Sequence, residues 1–459
     1  MEKEKAITKI PKQQGKKGAK EAIYEHMLRD IFAHHMNTSS SKVRTNQGYF
    51  ELGLQSSQLL EISQEVESKL GIVVSPTLFF EYGTIQELSR YFAEHVALPP
   101  EWEEGQEEEV EVEDEEVSDP VLLAKEAPDV QEQDEDIAII GMAGRFPGAA
   151  NISEFWANLV AGKDCVTEVP PSRWDWKKFD NLTSPSGKPI SRWGGFIDNA
   201  DCFDPHFFSI APREAEILDP QERLFLEVCW ECIEDAGYTP QTLAAYSGGN
   251  HSSSVGVFAG VMHKDYTLIG AEAVAEGMPL PLSLNYAPIA NRVSYFCNFN
   301  GPSMAIDTVC SSSLVSVHLA IDSIRKGESD VALAGGVNLS LHPNKYLTYG
   351  MANMHASDGY CHSFGKGGDG YVSSDGVGVV LLKPLSKARK DKDNIYAVIK
   401  ESAINHGGRA NGITVPNPVA QGDLIASCLA KSGIDPRTIS YVEAHGTVHL
   451  LVIQLKFKG

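Results

Sequence analysis

Cys310 is the residue best placed to do chemistry in this sequence. It follows a β-type run from Met304 to Val309 and leads directly into a helical pattern that begins Ser311-Ser312-Ser313. A cysteine at such a junction presents its sulfur at a sharp turn, where a helix N-terminus favours the thiolate, the form that attacks a carbonyl carbon. The plain alternative is a small core residue at the end of a strand. Ser56 stands at the start of another helical pattern, after Gly53-Leu54, and by position alone is an N-cap candidate. Ser57 is the neighbour to be told apart from it. Cys229 and Cys232 form a C-x-x-C inside LFLEVCWECIEDAG. The helical apolar spacing there, and the lack of a second ligand pair, make them buried helix residues rather than metal ligands. His342, His355, His362 and His406 show no ligand spacing, and no metal is expected.

The elements that must position these residues fall into segments. Residues 1–20 are a Lys-rich lead expected to be disordered. Residues 21–97 alternate helical patterns with short loops. The helix after Ser56 has Leu59, Leu60, Ile62, Val66 and Leu70 along its apolar side and Gly71 as its C-cap. Residues 98–135 are too acidic and too poor in apolar side chains to fold alone, and read as a self-repelling linker. From Asp136 onward, apolar runs (DIAIIGMAG, VGVFAGV, VALAGGVNL, VGVVLLKPL) alternate with helical stretches, the texture of an α/β layered domain.

Charge follows the same division. The formal net charge of −23 is concentrated between Glu101 and Asp136, where 18 acidic residues face one base, Lys125. Such a chain is a poor partner for nucleic acid, whose phosphates need basic surface. No stretch has the ~18 consecutive apolar residues of a membrane span, and the basic N-terminus lacks the apolar segment of a secretory signal. Eight scattered cysteines do not make a disulfide framework. The expectation is a cytoplasmic protein of two to four domains whose 42% apolar content suffices for a sizeable core.

Residues 47–97 contain YFELGL-x-S-x-x-LL, then a helix, then LGI-x-x-x-P-x-x-x-FFEY-x-T-I-x-E-L. This order resembles acyl carrier proteins of modular polyketide synthases. The resemblance implies a small all-α helical bundle with 4′-phosphopantetheine esterified to Ser56 by a phosphopantetheinyl transferase. The position suits a phosphodiester, because unpaired amides and the helix dipole favour an anion. Gln55 stands where most carriers have Asp, which removes a charge that helps the transferase engage.

The second resemblance runs from about Asp136 to Thr447. It is carried by DIAIIGMAGRFPGA, FDPHFFSIAPREAEILDPQERLFLEVCWECIEDAG, GPSMAIDTVCSSSL with AGGVN after it, DGYCHSFGKGGDGYVSSDGVGVVLLKPL and YVEAHGT. In this order they resemble β-ketoacyl synthases, most like those loaded by a separate, trans-acting acyltransferase. The resemblance implies a thiolase-like α/β fold, a homodimer, and partners that are acyl and malonyl carrier proteins. Cys310 would accept the acyl chain and His445 would stabilise the enolate formed by decarboxylation of malonyl. Phe364 matches a gating aromatic beside the cysteine. Asp369 and Asp375 match acidic family positions, but in a Gly-rich loop they read as turn-formers. Val309 stands where Ala is commoner.

After HGT the family pattern gives way to VHLLVIQLKFKG. The domains expected are thus a lead (1–20), a carrier (21–97), a linker (98–135), an incomplete ketosynthase (136–447) whose C-terminal half is truncated, and a tail outside the family pattern (448–459). The function expected is polyketide chain elongation, with this chain not competent alone. The alternative is a carrier and docking protein bearing a non-catalytic ketosynthase remnant.

Overall fold

The computed structural model describes residues 14–36, 38–49, 52, 54, 56–72, 74, 78–98, 135–245, 254–278, 285–410 and 415–447. The linker residues 99–134 and the tail 448–459 lie outside them. The chain divides into two units, one formed mainly by residues up to 127 and one by 128–405 with 422–453.

The first unit is a helical bundle of α1 (Gln14–His35), α2 (Ser56–Leu70), α3 (Leu78–Glu81) and α4 (Ile85–His95). Helix α1 begins inside the lead that the sequence marks as disordered. Its Lys, Ala and Glu residues are good helix formers, so the helix propagates N-terminally beyond Tyr24, the first residue it buries in the core. Leu59, Ile62 and Val66 of α2 are buried, as their spacing requires, and pack with Leu28, Phe32, Phe79 and Phe92. Gly71 ends α2 with φ +65°, a left-handed conformation that suits glycine. The side chain of Leu60 is outside the description. Leu98, placed in the linker by composition, packs on this core.

The second unit is built in chain order from β1 (Ile137–Arg145), α5 (Ile152–Ala161), β2 (Val166–Glu168), β3 (Trp193–Gly195), α6 (Pro212–Ile217), α7 (Pro220–Asp235), α8 (Pro240–Ala244), β4 (Val255–Gly260), α9 (Tyr266–Ala275) and α10 (Ala287–Cys297). Next come β5 (Ser303–Ile306), α11 (Ser312–Arg325), β6 (Val331–Asn338), α12 (Asn344–Met351), β7 (Ser373–Ser374), β8 (Gly376–Pro384), α13 (Leu385–Asp391), β9 (Ala397–Ile399) and α14 (Pro418–Ser432). The main sheet has the order β5-β4-β6-β8-β1-β9. Strands β5, β4 and β6 are mutually parallel, whereas β8, β1 and β9 join antiparallel.

Both faces of this sheet are covered, so its central strands read as continuous apolar runs; all six residues of β4 are buried. On one face Val257 and Ala259 pack with Val228, Cys229 and Cys232 of α7 and Val293 of α10. On the other, Phe258 packs with Ala320, Ile321 and Ile324 of α11. The result is an α-β-α sandwich, in keeping with the thiolase-like α/β fold expected. A small sheet, β2-β3-β7, flanks it. Cys229 and Cys232 lie in this core as the helical spacing required, with burial pushing both thiols up. No helix among the described residues is long and apolar enough to cross a membrane.

Candidate active site

The turn that carries Cys310 is longer than its sequence suggests. Strand β5 stops at Ile306 rather than Val309, and α11 starts at Ser312, which leaves five residues between them. Side chains hold this turn. Asp307 Oδ1 accepts from the Val309 amide at 3.0 Å. Ser312 Oγ accepts from the Thr308 amide at 2.9 Å and donates to the Val309 carbonyl at 2.6 Å. Val309 takes φ +60°, a left-handed conformation that a β-branched residue adopts only under constraint. The bend carries Cys310 out of the sheet and leaves it exposed.

Two glycines let α11 begin this close to the sheet. A Cβ on Gly260, at the end of β4, would lie 2.6 Å from the Ser313 amide nitrogen and 2.7 Å from the Ser312 carbonyl carbon. One on Gly336 of β6 would lie 2.9 Å from the Ser313 Cβ. The parallel pairing sets Gly260 beside Gly336, so both gaps fall under the same turn of helix.

Cys310 lines a cavity of about 720 Å³ together with His445 and Thr447 from the C-terminal part of the unit. Apolar walls come from Val261, Met262, Val309, Leu314, Val317 and Met354. The loop holding His445 is tied down from outside: Ser363 Oγ donates to the carbonyl of Gly446. Phe364, the expected gate, is next in sequence to that serine. It is exposed and takes φ +61°, and it is not among the cavity-lining residues.

The cavity also has polar lining that sequence reading did not single out. His263, just after β4, shares a 2.9 Å hydrogen bond through Nε2 with the Tyr349 hydroxyl of α12. Burial, helped by nearby Lys345, pushes His263 down to about 4 and keeps it neutral. Lys345 is buried with its ammonium 2.8 Å from Asn338 Oδ1; burial pushes it down to about 8 against the pull of Asp265 and Asp375. Only long-range packing brings these residues together, because β4 and α12 are far apart in sequence.

Neither Asp369 nor Asp375 lines the cavity. Asp369 accepts from the Ser357 amide at 3.1 Å and pairs with Lys188. Asp375 is not the exposed turn residue its Gly-rich surroundings suggest. It is fully buried and accepts from Arg173 at 2.8 Å, Ser340 at 2.7 Å and Ile197 at 3.2 Å, tying β7 to two loops. The histidines given no role stand apart from one another. His342 pairs with Glu272, His362 pairs with Asp358, and His406 accepts from the Gly408 amide. His355 is buried among the rings of Tyr346, Tyr349 and Tyr371. In the helical unit, His34, His35 and Glu65 bring possible ligand atoms within 4.8 Å of one another, a cluster that the sequence gave no reason to expect.

Residues 134–388, more than half of the 459, match the N-terminal domain of β-ketoacyl synthases. The chain belongs to the β-ketoacyl synthase family. Residues 396–451 match the synthase C-terminal domain, four residues past the point where the sequence pattern was read as ending. Residues 27–92 match the phosphopantetheine attachment site, so the helical unit takes 4′-phosphopantetheine covalently on a serine. Synthases of this family form carbon–carbon bonds.

Polyketide synthase PksM of Bacillus subtilis (strain 168) is 62% identical over 424 residues, which are 92% of this chain and 10% of that protein. Polyketide synthase PksL of the same organism is 61% identical over 437 residues, 95% of this chain and 10% of that one. The chain thus spans about a tenth of these relatives. Among solved structures, the oxazolomycin ketosynthase domain OzmH KS7 of Streptomyces albus JA3453 matches with a TM-score of 0.66 and 46% identity, covering 70% of this chain and 55% of that one. The ketosynthase from module 6 of the bacillaene synthase of Bacillus subtilis 168 matches with a TM-score of 0.64 and 39% identity, covering 70% and 53%.

The β-ketoacyl synthase fold thus puts the cysteine of the DT-x-CSSSL motif and the histidine of EAHGT on one cavity. Ser56 is the first residue of α2 in the carrier unit. Its side chain, Gly53 and Gln55 lie outside the described residues. The helix fits an attached phosphodiester: it is 15 residues long and has no acidic residue in its first turn, so no carboxylate competes for the amides there.

Proposed function

We propose that this chain takes part in polyketide chain elongation, supplying a carrier and a ketosynthase unit that is not competent alone. The single observation that carries the proposal is the shared cavity of Cys310 and His445 at the start of α11. Ser56 would hold the phosphopantetheine, whose phosphate the unpaired amides at the start of α2 would favour. That group supplies a thiol on a long flexible tether, on which acyl chains travel as thioesters.

At the synthase unit, the Cys310 thiolate attacks the carbonyl carbon of an incoming acyl thioester. The bond from that carbon to the donor sulfur breaks, and the donor leaves as a thiolate that takes up a proton to become a thiol. A malonyl thioester then enters and loses carbon dioxide, and the electron pair of the broken bond becomes an enolate. His445 donates an N–H to the thioester oxygen where charge builds up. The enolate carbon attacks the Cys310 acyl carbon, the carbon–carbon bond forms, and the cysteine leaves as thiolate, ready for another acyl group.

Phe364 serves as a gate at the entrance, a role consistent with its exposed position one residue from the contact with the His445 loop. The partners are acyl and malonyl carrier proteins, a phosphopantetheinyl transferase and a trans-acting acyltransferase. The assembly is a cytoplasmic homodimer.

Two measurements on the full chain test this reading. Coenzyme A with a promiscuous phosphopantetheinyl transferase should add one arm, abolished by Ser56→Ala and retained in Ser57→Ala. An acyl thioester should acylate wild type on the Cys310 peptide and leave Cys310→Ala unmodified. Label persisting in Ser56→Ala refutes the carrier assignment, and acyl groups on a cysteine other than Cys310 in wild type refute the nucleophile.

A further inference from the structure

The polar pair His263–Tyr349 stands in a cavity whose other walls are mostly apolar, and the reaction proposed above has no use for it. Both residues line the space into which Cys310 faces, next to Met262 and Val309. They are bonded to each other at 2.9 Å, so they form one unit with a fixed geometry. Lys345, another polar residue lining the cavity, donates to Asn338 Oδ1 at 2.8 Å.

The hydrogen count shows what this unit can bind. His263 is neutral because of its burial, so its ring carries one hydrogen and one lone pair. Burial, reinforced by the neighbouring Cys310, raises the Tyr349 hydroxyl above its ordinary range, so it keeps its proton. The bond between them uses one hydrogen and one lone pair. One hydrogen is left, on Tyr349 Oη, where the Met262 sulfur at 4.0 Å is only a weak acceptor, or on His263 Nδ1 depending on the tautomer, together with a lone pair on the tyrosine oxygen. A pair with both donor and acceptor capacity to spare matches a hydroxyl, which also has both. A saturated chain in the same place would cover that capacity and leave it unused.

We propose that Tyr349, held in place by His263, is a binding subsite for a hydroxyl group on the acyl chain carried by Cys310, so that the synthase unit prefers hydroxylated acyl chains to saturated ones. The proposal rests on Cys310 being the acylated residue. One neutral hydrogen bond inside the cavity corresponds to a preference of about tenfold.

The experiment uses the full chain and measures rates of Cys310 acylation by mass spectrometry with N-acetylcysteamine thioesters. Two pairs are compared: 3-hydroxybutyryl with butyryl, and 5-hydroxyhexanoyl with hexanoyl. Wild type should favour the hydroxylated member of at least one pair by about tenfold. Tyr349→Phe should bring that ratio close to one. Because the ratio is taken within one protein, a general loss of reactivity in the variant does not alter it. His263→Gln, which keeps a side-chain hydrogen-bonding group, should give an intermediate ratio. Equal rates within both pairs in wild type overturn the subsite while leaving Cys310 as nucleophile. A wild-type preference that survives in Tyr349→Phe also overturns it. If no thioester acylates Cys310, the nucleophile reading fails and the subsite fails with it.

Discussion

Replacing Gly260 by alanine should disable Cys310 without touching it. The added methyl would sit 2.6 Å from the Ser313 amide nitrogen and 2.7 Å from the Ser312 carbonyl carbon, whereas ordinary contact begins at 3.4 Å. Both obstructing atoms belong to backbone, so no side chain can swing aside. The first turn of α11 must retreat by about 0.8 Å or β4 must sink by as much. Overpacking of this kind costs about 2 kcal/mol, which in a unit of this size lowers the thermal midpoint by about 3 °C. A displacement approaching 1 Å at a reacting group is worth up to ~100-fold in rate. Acylation of Cys310 in Gly260→Ala should therefore fall by at least tenfold at a temperature where the protein remains folded. Gly422→Ala is the matched control: it lies in α14 with nothing within 4 Å of its would-be Cβ, and should stabilise slightly as alanine favours helix. The assay is the rate of acyl transfer by mass spectrometry beside a melting curve. Unchanged acylation and an unchanged midpoint in Gly260→Ala would show that α11 is not seated on β4 as described.

Limiting iodoacetamide at neutral pH should modify Cys310 well before Cys229, Cys232 and Cys297, which are buried and whose thiols burial pushes up, Cys297 to about 12. Cys202 is the informative competitor, since it is also exposed but lies beside the Asp201 carboxylate rather than at a helix N-terminus; faster labelling there by peptide mapping would contradict the nucleophile assignment. His355, pushed down to about 3 by burial and by Lys345 and Lys188, stays neutral in the fold while the unfolded chain takes up a proton below pH ~6.5. Its contribution is fully present above that pH and declines by about 1.4 kcal/mol per pH unit down to about pH 3. His355→Phe should flatten the fall of the synthase melting midpoint between pH 7 and pH 5, and equal slopes for variant and wild type would refute the reading.

Local pattern made some of this site legible and left the rest hidden. Cys310 stood out because an apolar run turns into a helical one around it, and Ser56 because a helix starts there, but local pattern alone equally suits a core cysteine and an N-cap, and the family resemblance is what set them apart. The length of the Cys310 turn was not visible, since the hydrogen bonds that end β5 early come from Asp307 and Ser312 side chains whose directions no periodicity reports. His263 and Tyr349 each look like ordinary members of their own segments and become a pair only when β4 and α12 meet. Asp375 misled for a related reason: its neighbours predict an exposed turn, and its burial against Arg173 depends on residues about two hundred positions away. Helix α1 begins at Gln14, inside the Lys-rich lead, where composition reports solubility more directly than helix propagation.

The left-handed backbone at Val309 makes that position a meeting point of two demands. Its side chain forms part of the cavity wall, and its φ of +60° is one that glycine or asparagine would hold with little strain. Reshaping the pocket by substitution at 309 therefore also resets the conformational bias of the loop that presents the sulfur. A smaller or more polar residue there would relax the loop as it widens the wall, and a bulkier branched one would tighten both. Libraries built to alter which chains the pocket admits would find specificity and folding yield inherited together at this site, whereas at Met354, which lines the same cavity from a position of ordinary backbone geometry, the two should vary independently.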